Sequence, residues 1–319
     1  MSVGTVGGGT DRLPGAALDA ATESPEVLVN LPAVSPAEFA VTLAPPLSYA
    51  HREAFREVAE TVHIALLRLG YRSVLSDDLG LPGRRHIVFG SNTLSWWNLE
   101  VPGDAVLFNL EQISVDSQWV TADLLALFRR HTVWDYSLRN IAALHDLGVP
   151  DVRHVPIGYV PELERIPPAP EQDIDVLVIG SLNERRMAPI EELRRLGLNA
   201  QAHFGVYGPA RDALYARAKI VVNIHFYDTK IFEVVRVSYL LANGVFVISE
   251  HCADTEEAAR FADAVVFTDY DEIVPACLHY LAAAEEREAR AAAGRRVMRD
   301  RPATEYLAPV VSGLLAVRE

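Results

Sequence analysis

Short apolar blocks alternate along this chain with longer stretches of helical period, and the alternation predicts strands and helices in regular succession. FAVTLAP (39–45), RHIVFG (85–90) and AVLFNLEQ (105–112) read as buried strands, and VRHVPIGYV (152–160) closes that set. Phe55, Val58, Val62, Leu66 and Leu69 form one stripe of a helix over 49–69, and helical period returns over 119–129 and 137–147. PELERIPPAPEQD (161–173) has four prolines, four acidic residues and no period, so it reads as a linker. The alternation then restarts: IDVLVIGS, a helix to Leu196, the strand AHFGVYG, a short helix, a strand ending near Asn223, a mostly apolar helix, VFVISE, a helix near Ala258, AVVFTD, a long helix over 271–293 and a last helix after Pro302. Such succession implies parallel sheets joined by crossovers. The expected fold is therefore α/β, two doubly wound Rossmann-like domains facing a cleft, with a C-terminal helix that packs back across it. The boundaries drawn are a flexible leader over 1–26, domains over 27–162 and 163–300, and the helix over 301–319.

Composition narrows the partners. The chain has 319 residues, half of them apolar, which is enough for two cores. A net charge of −14 argues against a nucleic-acid or acidic-membrane surface, while leaving room for a local basic pocket. Cys252 and Cys277 are the only cysteines and suit neither a zinc site nor a disulfide framework, which points to a reduced, cytoplasmic setting. Residues 1–26 lack the basic and apolar regions of a secretory signal, and no apolar run reaches the length of a membrane span.

Candidate chemistry concentrates at the ends of strands. In 218–250 a buried strand ends at Asn223 and His225, and the helix after it carries Lys230, Glu233 and Arg236 three residues apart, on one face. Asp228 or Thr229 is placed to cap that helix, whose free N–H groups with Lys230 would make an anion site. A structural Glu233–Arg236 pair, with Lys230 in solvent, accounts for the same pattern. GSLNERR offers Gly180 at a strand end, a capping box of Ser181 with Glu184, and Arg185 and Arg186 near a helix N-terminus, where an anion or a fold-back carboxylate would favour cations and either arginine could simply be solvated. VYGPARD turns at Tyr207 and Gly208, either as a plain turn or to meet the edge of a nucleobase. In the first domain Glu111 is placed as a general base towards an acceptor hydroxyl or to hold a sugar by hydrogen bonds, and His51, at the lip of the first strand, as a second catalytic candidate able to titrate near neutrality; the alternatives are that Glu111 caps the next segment and His51 is exposed. Asp135, Tyr136 and Ser137 are expected to cap a helix, and 154–159 to line the cleft floor. No Walker or GxGxxG fingerprint occurs, and no His, Cys or carboxylate cluster at ligand spacing, so no metal is assigned.

Taken together, GSLNERR, VYG, KIVVNIH, FEVVRVSYLLANG and VFVISE resemble the nucleotide-sugar glycosyltransferases of the two-Rossmann-domain (GT-B) type. They are especially similar to the bacterial spore-maturation glycosyltransferase-like branch, with a looser likeness through NLEQ, VWDYSLRNI and HVPIGYVPEL. The resemblance implies an enzyme whose second domain binds a nucleoside diphosphate sugar as co-substrate, with no other cofactor, and whose first domain holds an unidentified acceptor. Arg185, Arg186 and Lys230 then match cation positions, and Glu233 and Arg236 face the ribose and phosphates. Many retaining members carry two glutamates with seven residues between them; here Ile231 and Tyr239 fall at those positions, with Glu233 two residues further on. A non-catalytic nucleotide-sugar-binding protein and a nucleotide-sugar epimerase on the same fold fit these residues as well.

Overall fold

The computed structural model describes residues 38–114 and 117–316; the leader expected over 1–26 lies outside the described residues. Its first sheet contains β1 (Glu38–Leu43), β2 (Arg72–Ser76), β3 (Arg85–Phe89), β4 (Val106–Asn109), β5 (Thr132–Asp135) and β6 (Val152–His154), all parallel, in the order β2-β1-β3-β4-β5-β6. A second parallel sheet holds β7 (Ile174–Ile179), β8 (Ala200–His203), β9 (Ala218–Asn223), β10 (Val247–Glu250) and β11 (Val265–Thr268), in the order β11-β10-β9-β7-β8. Both sheets reverse direction beside their first strand, between β1 and β3 and between β7 and β9. In doubly wound sheets, that reversal opens a crevice at the carboxyl ends of the strands.

Helices cover both faces because the strands are apolar on both sides. In the first lobe these are α1 (Arg56–Arg68), α2 (Ala122–Phe128) and α3 (Leu138–Asp146); in the second, α4 (Glu184–Arg195), α5 (Gly208–Arg217), α6 (Val234–Ala242), α7 (Thr255–Ala259), α8 (Ile273–Ala282) and α9 (Ala284–Arg299). One apolar core continues from Phe39 and Val62 through Tyr215 and Leu240 to Val311, and the outer face of each sheet has a smaller core of its own. The last helix, α10 (Ala303–Ala316), crosses back onto α1 of the first lobe, as expected. Its Leu307 and Val311 are buried, each worth about 1.5–3 kcal/mol, and Arg85 donates to the Leu314 carbonyl at 2.8 Å. The crossing begins where Gly158 meets Ala303: a Cβ on Gly158 would lie 2.4 Å from the Ala303 Cα.

Several elements differ from the sequence expectation, each for a local reason. β2 and β5 were not anticipated: β2 is a half-exposed edge strand with polar residues, and β5 is only four residues long. The helix expected over 49–69 starts as a 3-10 turn, Ala50–Phe55, before α1. AHFGVYG is a strand only to His203, because Gly205 and Gly208 turn the chain with φ of +72° and +55°. The long helix over 271–293 is two helices, broken at Ala283 (φ −104°, ψ 66°), since α8 packs on β10 and α9 on α6. The segment over 161–173 is pinned: the Asn243 carboxamide accepts from the Arg165 and Ile166 N–H groups at 2.8 Å each and donates to the Leu163 carbonyl at 2.9 Å.

Candidate functional site

The carboxyl ends of both sheets open on a cavity of about 290 Å³, close to the ~300–1,000 Å³ of ordinary ligand sites. Gly180, Ser181, Arg186, Tyr207, Glu233 and Arg236 line it from the second lobe, and Glu111 from the first. A polar cavity of about 310 Å³ lies at the opposite strand edge, beside Arg129, Arg130 and His131. These three follow the C-terminus of α2, where the helix macrodipole favours cations without a ligand.

Gly180 follows β7 at the point of reversal, with φ +145°, a conformation that disfavours a side chain. The Arg186 Nη1 and the Arg236 Nη2 each lie 3.2 Å from where a Cβ on Gly180 would stand, so two guanidiniums converge on this turn. Arg186 sits in the first turn of α4, capped by the Asn183 side chain, which accepts from the Arg186 N–H at 2.9 Å. Its guanidinium donates to the Ile224 carbonyl at 2.7 Å and the Ser181 carbonyl at 2.9 Å. Arg236 lies in the first turn of α6 and donates to the Asn223 carboxamide at 3.2 Å. Burial, and then the facing Arg236, push Arg186 down to about 10. Two cations at helix N-termini also oppose the macrodipoles, by about 0.3–1 kcal/mol each. A polyanion at Gly180 would reverse all of these terms.

Glu233 balances part of this charge. Its carboxylate lies 3.7 Å from Arg186, 3.0 Å from the His225 Nδ1, and accepts from the Asn223 side chain at 2.9 Å. Burial would raise it, yet His225 and Arg236 hold it below the usual carboxylate range. The His225 Nε2 lies 3.1 Å from the His251 carbonyl, and the Nδ1–Glu233 contact is close in distance without being an aligned hydrogen bond.

In the first lobe Glu111 follows β4, and its backbone is clamped. The Asn109 and Asn140 side chains each donate to the Glu111 carbonyl at 2.9 Å, and Asp135, fully buried, accepts from both. Burial pushes Asp135 up to about 7 against those donors. Burial also pushes the Glu111 carboxyl up to about 7, against an Asn92 donor at 3.2 Å. Ser137 caps α3, as expected.

The structure corrects several residue assignments. Lys230 is not in a helix: α6 starts at Val234, with Glu233 in the N-cap position making no side-chain cap, and neither Asp228 nor Thr229 caps it. Lys230 lies in a loop with φ +49° and pairs with Glu250 at 3.1 Å. Arg185 is also committed to Glu250, at 2.5 and 2.7 Å, and lies over the Tyr270 ring. Burial would raise Glu250, but Arg185 and Lys230 draw it down to about 2, so both cations are spent outside the cavity. Asn183 replaces Ser181 as the α4 cap. Gly208, His225 and His51 are also outside the lining: Gly208 supplies a turn, His225 stands behind Glu233, and His51 bridges the lobes at the rim, 2.7 Å from the Tyr207 hydroxyl. Arg211, near the start of α5, escaped the sequence reading although it too is a cation near a helix N-terminus; it ties the lobes through Glu57 at 2.7 Å. Tyr136, expected to cap a helix, lines the cavity instead, together with Phe226 and Tyr227, which carried no sequence signal. Among the described residues no group of three metal-ligating side chains occurs, and no helix is long and apolar enough to cross a membrane.

Residues 164–307 match the family model described as glycosyl transferase-like. A curated viral protein, the uncharacterized protein L140 of Acanthamoeba polyphaga mimivirus, is 24% identical over 237 residues, 72% of this chain and 74% of that one. Among solved structures, HepE of Anabaena, in complex with UDP and glucose, has a TM-score of 0.56 at 10% identity, over 87% of this chain and 100% of that one. WaaG, a glycosyltransferase involved in lipopolysaccharide biosynthesis, has a TM-score of 0.55 at 11% identity, over 87% and 99%. The chain spans only 54% of a third similar structure, TarM, with a TM-score of 0.51 at 9% identity over 73% of this chain. The two parallel sheets, their facing crevices and the returning α10 make this a GT-B fold, and its second lobe carries the match to the glycosyl transferase-like family.

Proposed function

We propose that this chain transfers a sugar from a nucleoside diphosphate sugar to an acceptor hydroxyl. The observation that carries the reading is the convergence of Arg186 and Arg236 on the Gly180 turn, where two guanidiniums that share one carboxylate, Glu233, call for a diphosphate. The two arginines and the N–H groups starting α4 stabilise the leaving diphosphate and supply its counter-charge without a metal. The acceptor oxygen bonds to the anomeric carbon as the bond from that carbon to the diphosphate oxygen breaks. The bonding pair leaves with the diphosphate, and the hydroxyl proton passes to Glu111. His51–Tyr207 and Arg211–Glu57, which tie the lobes in this structure, would part and close again as substrates exchange.

The bacterial spore-maturation-like branch belongs to the same proposal, resting on GSLNERR and FEVVRVSYLLANG, as does a cytoplasmic setting, consistent with two free cysteines. A thermal-shift screen with UDP, GDP and TDP tests the donor site, since a ligand that binds only the folded state raises Tm. A shift with one diphosphate that is absent in Arg186→Gln supports the reading, and no shift with any of them contradicts it.

A further inference from the structure

Above Glu111 the first lobe exposes aromatic side chains that nothing in the fold requires at the surface. Trp96 is 53% exposed and Trp97 37%, on the 3-10 turn Ser91–Trp97 that follows β3. Tyr49, from the loop after β1, meets both, with ring centroids 6.3 and 5.9 Å apart, and Trp96 lies 5.3 Å from Trp119. The Trp119 indole N–H donates to the Tyr227 hydroxyl of the second lobe at 2.9 Å, so the aromatic wall reaches across the cleft mouth. These loops flank the reversal between β1 and β3, the crevice that the donor site in the second lobe leaves open.

The wall stands over the reacting carboxylate. The Tyr49 and Tyr227 phenols both lie within the field of Glu111, and Asn92, on the same turn as Trp96, donates to it. Contiguous exposed aromatics mark a binding surface, and their chemistry selects the occupant. Residues 44–51 and 91–100 contain no Lys or Arg, so the wall lacks the cations that an anionic lipid surface or a phosphorylated acceptor would seek. It carries instead an exposed hydroxyl and an exposed amide, Ser95 and Asn98, on either side of the two tryptophans. A pyranose needs that combination: its C–H face lies on an aromatic ring while its hydroxyls bond at the edge.

We propose that the acceptor is a saccharide seated on Trp96 and Trp97, with one hydroxyl reaching down to Glu111; this rests on the transferase reading above. An immobilised glycan array, carrying lipid and phenolic control spots, is probed with labelled full-length protein in the presence of UDP. The expected result is retention on at least one class of glycan, weakened at least tenfold by Trp96→Ala and Trp97→Ala together. The UDP-induced rise in Tm reports that the double variant folds and that its donor site is intact; Trp96→Phe, which keeps a stacking face, should restore most of the retention. Binding to no glycan, binding only to lipid or phenolic spots, or glycan binding indifferent to both substitutions overturns the proposal. Absence in the wild-type protein of a shift with any of UDP, GDP and TDP would instead strike the donor reading.

Discussion

The two lobes share one topology and divide the chemistry between them. Each sheet reverses beside its first strand, yet the second lobe fills its crevice with guanidiniums around a glycine, and the first fills its own with a raised carboxyl under aromatic rings. The difference lies in the segments that leave the strands. After β7 and β9 the chain enters α4, and then α6, with arginines in the first turns. After β3 and β4 it enters a 3-10 turn and an asparagine-clamped loop that holds Glu111 at the cavity. A shared scaffold thus yields one crevice suited to a polyanion and one suited to an uncharged, hydroxyl-bearing partner.

The sharpest way to break this contrast is to remove the charge from the second lobe. Arg186→Gln with Arg236→Gln should cost two charge-assisted contacts of about 1.5–3 kcal/mol each, a loss of about 10²–10⁴ in transfer rate at subsaturating donor. Steady-state kinetics over a range of donor concentrations measures it. Removing the acid of the first lobe tests the other half: Glu111→Gln should lower turnover by about 10²–10⁴ while leaving the UDP thermal shift in place. With Glu111 as the base, wild-type turnover should rise with pH through about 7 and the residual turnover of the variant should not follow it.

The same carboxyl gives stability a sign. Its pKa in the fold, about 7, lies above the ordinary 4.5, so between those values the folded chain holds a proton that the unfolded chain releases. Its contribution is therefore full below about 4.5 and is lost as pH rises to about 7. Denaturant titrations at pH 5 and pH 8 should show a smaller difference in Glu111→Gln than in wild type. Gly180→Ala should weaken donor binding by about tenfold or more, because the new methyl group strains a φ of +145° and stands 3.2 Å from both guanidiniums. Lys230→Ala should change donor binding less than about threefold, since its half-exposed ammonium serves Glu250 rather than the cavity.

Much of the fold was legible because buried strands and amphipathic helices announce themselves by period, and β1, β3, β4, β7, β9 and β10 all do so. β2 and β5 did not, being an exposed edge and a four-residue strand whose identity depends on neighbours far along the chain. At the site, cations near helix starts pointed to Arg185, Arg186, Lys230 and Arg236 together, and sequence could not separate them. The separation depends on Glu250, at the end of β10, which pairs with both Arg185 and Lys230, while Glu233 is shared with His225 and leaves its arginines partly unopposed. A carboxylate distant in sequence thus decided which positive charges remain for a ligand. The aromatic wall was invisible for a similar reason, since Tyr49, Trp96 and Trp119 become neighbours only through the sheet order.

Calorimetric titration with the nucleoside, monophosphate and diphosphate of whichever base raises Tm in the UDP, GDP and TDP screen, on wild type and on the Arg186→Gln, Arg236→Gln double variant, tests the paired-arginine site most directly. The account predicts affinity that climbs with each added phosphate in wild type and a nearly flat series in the double variant. An equally steep climb in both proteins would contradict it.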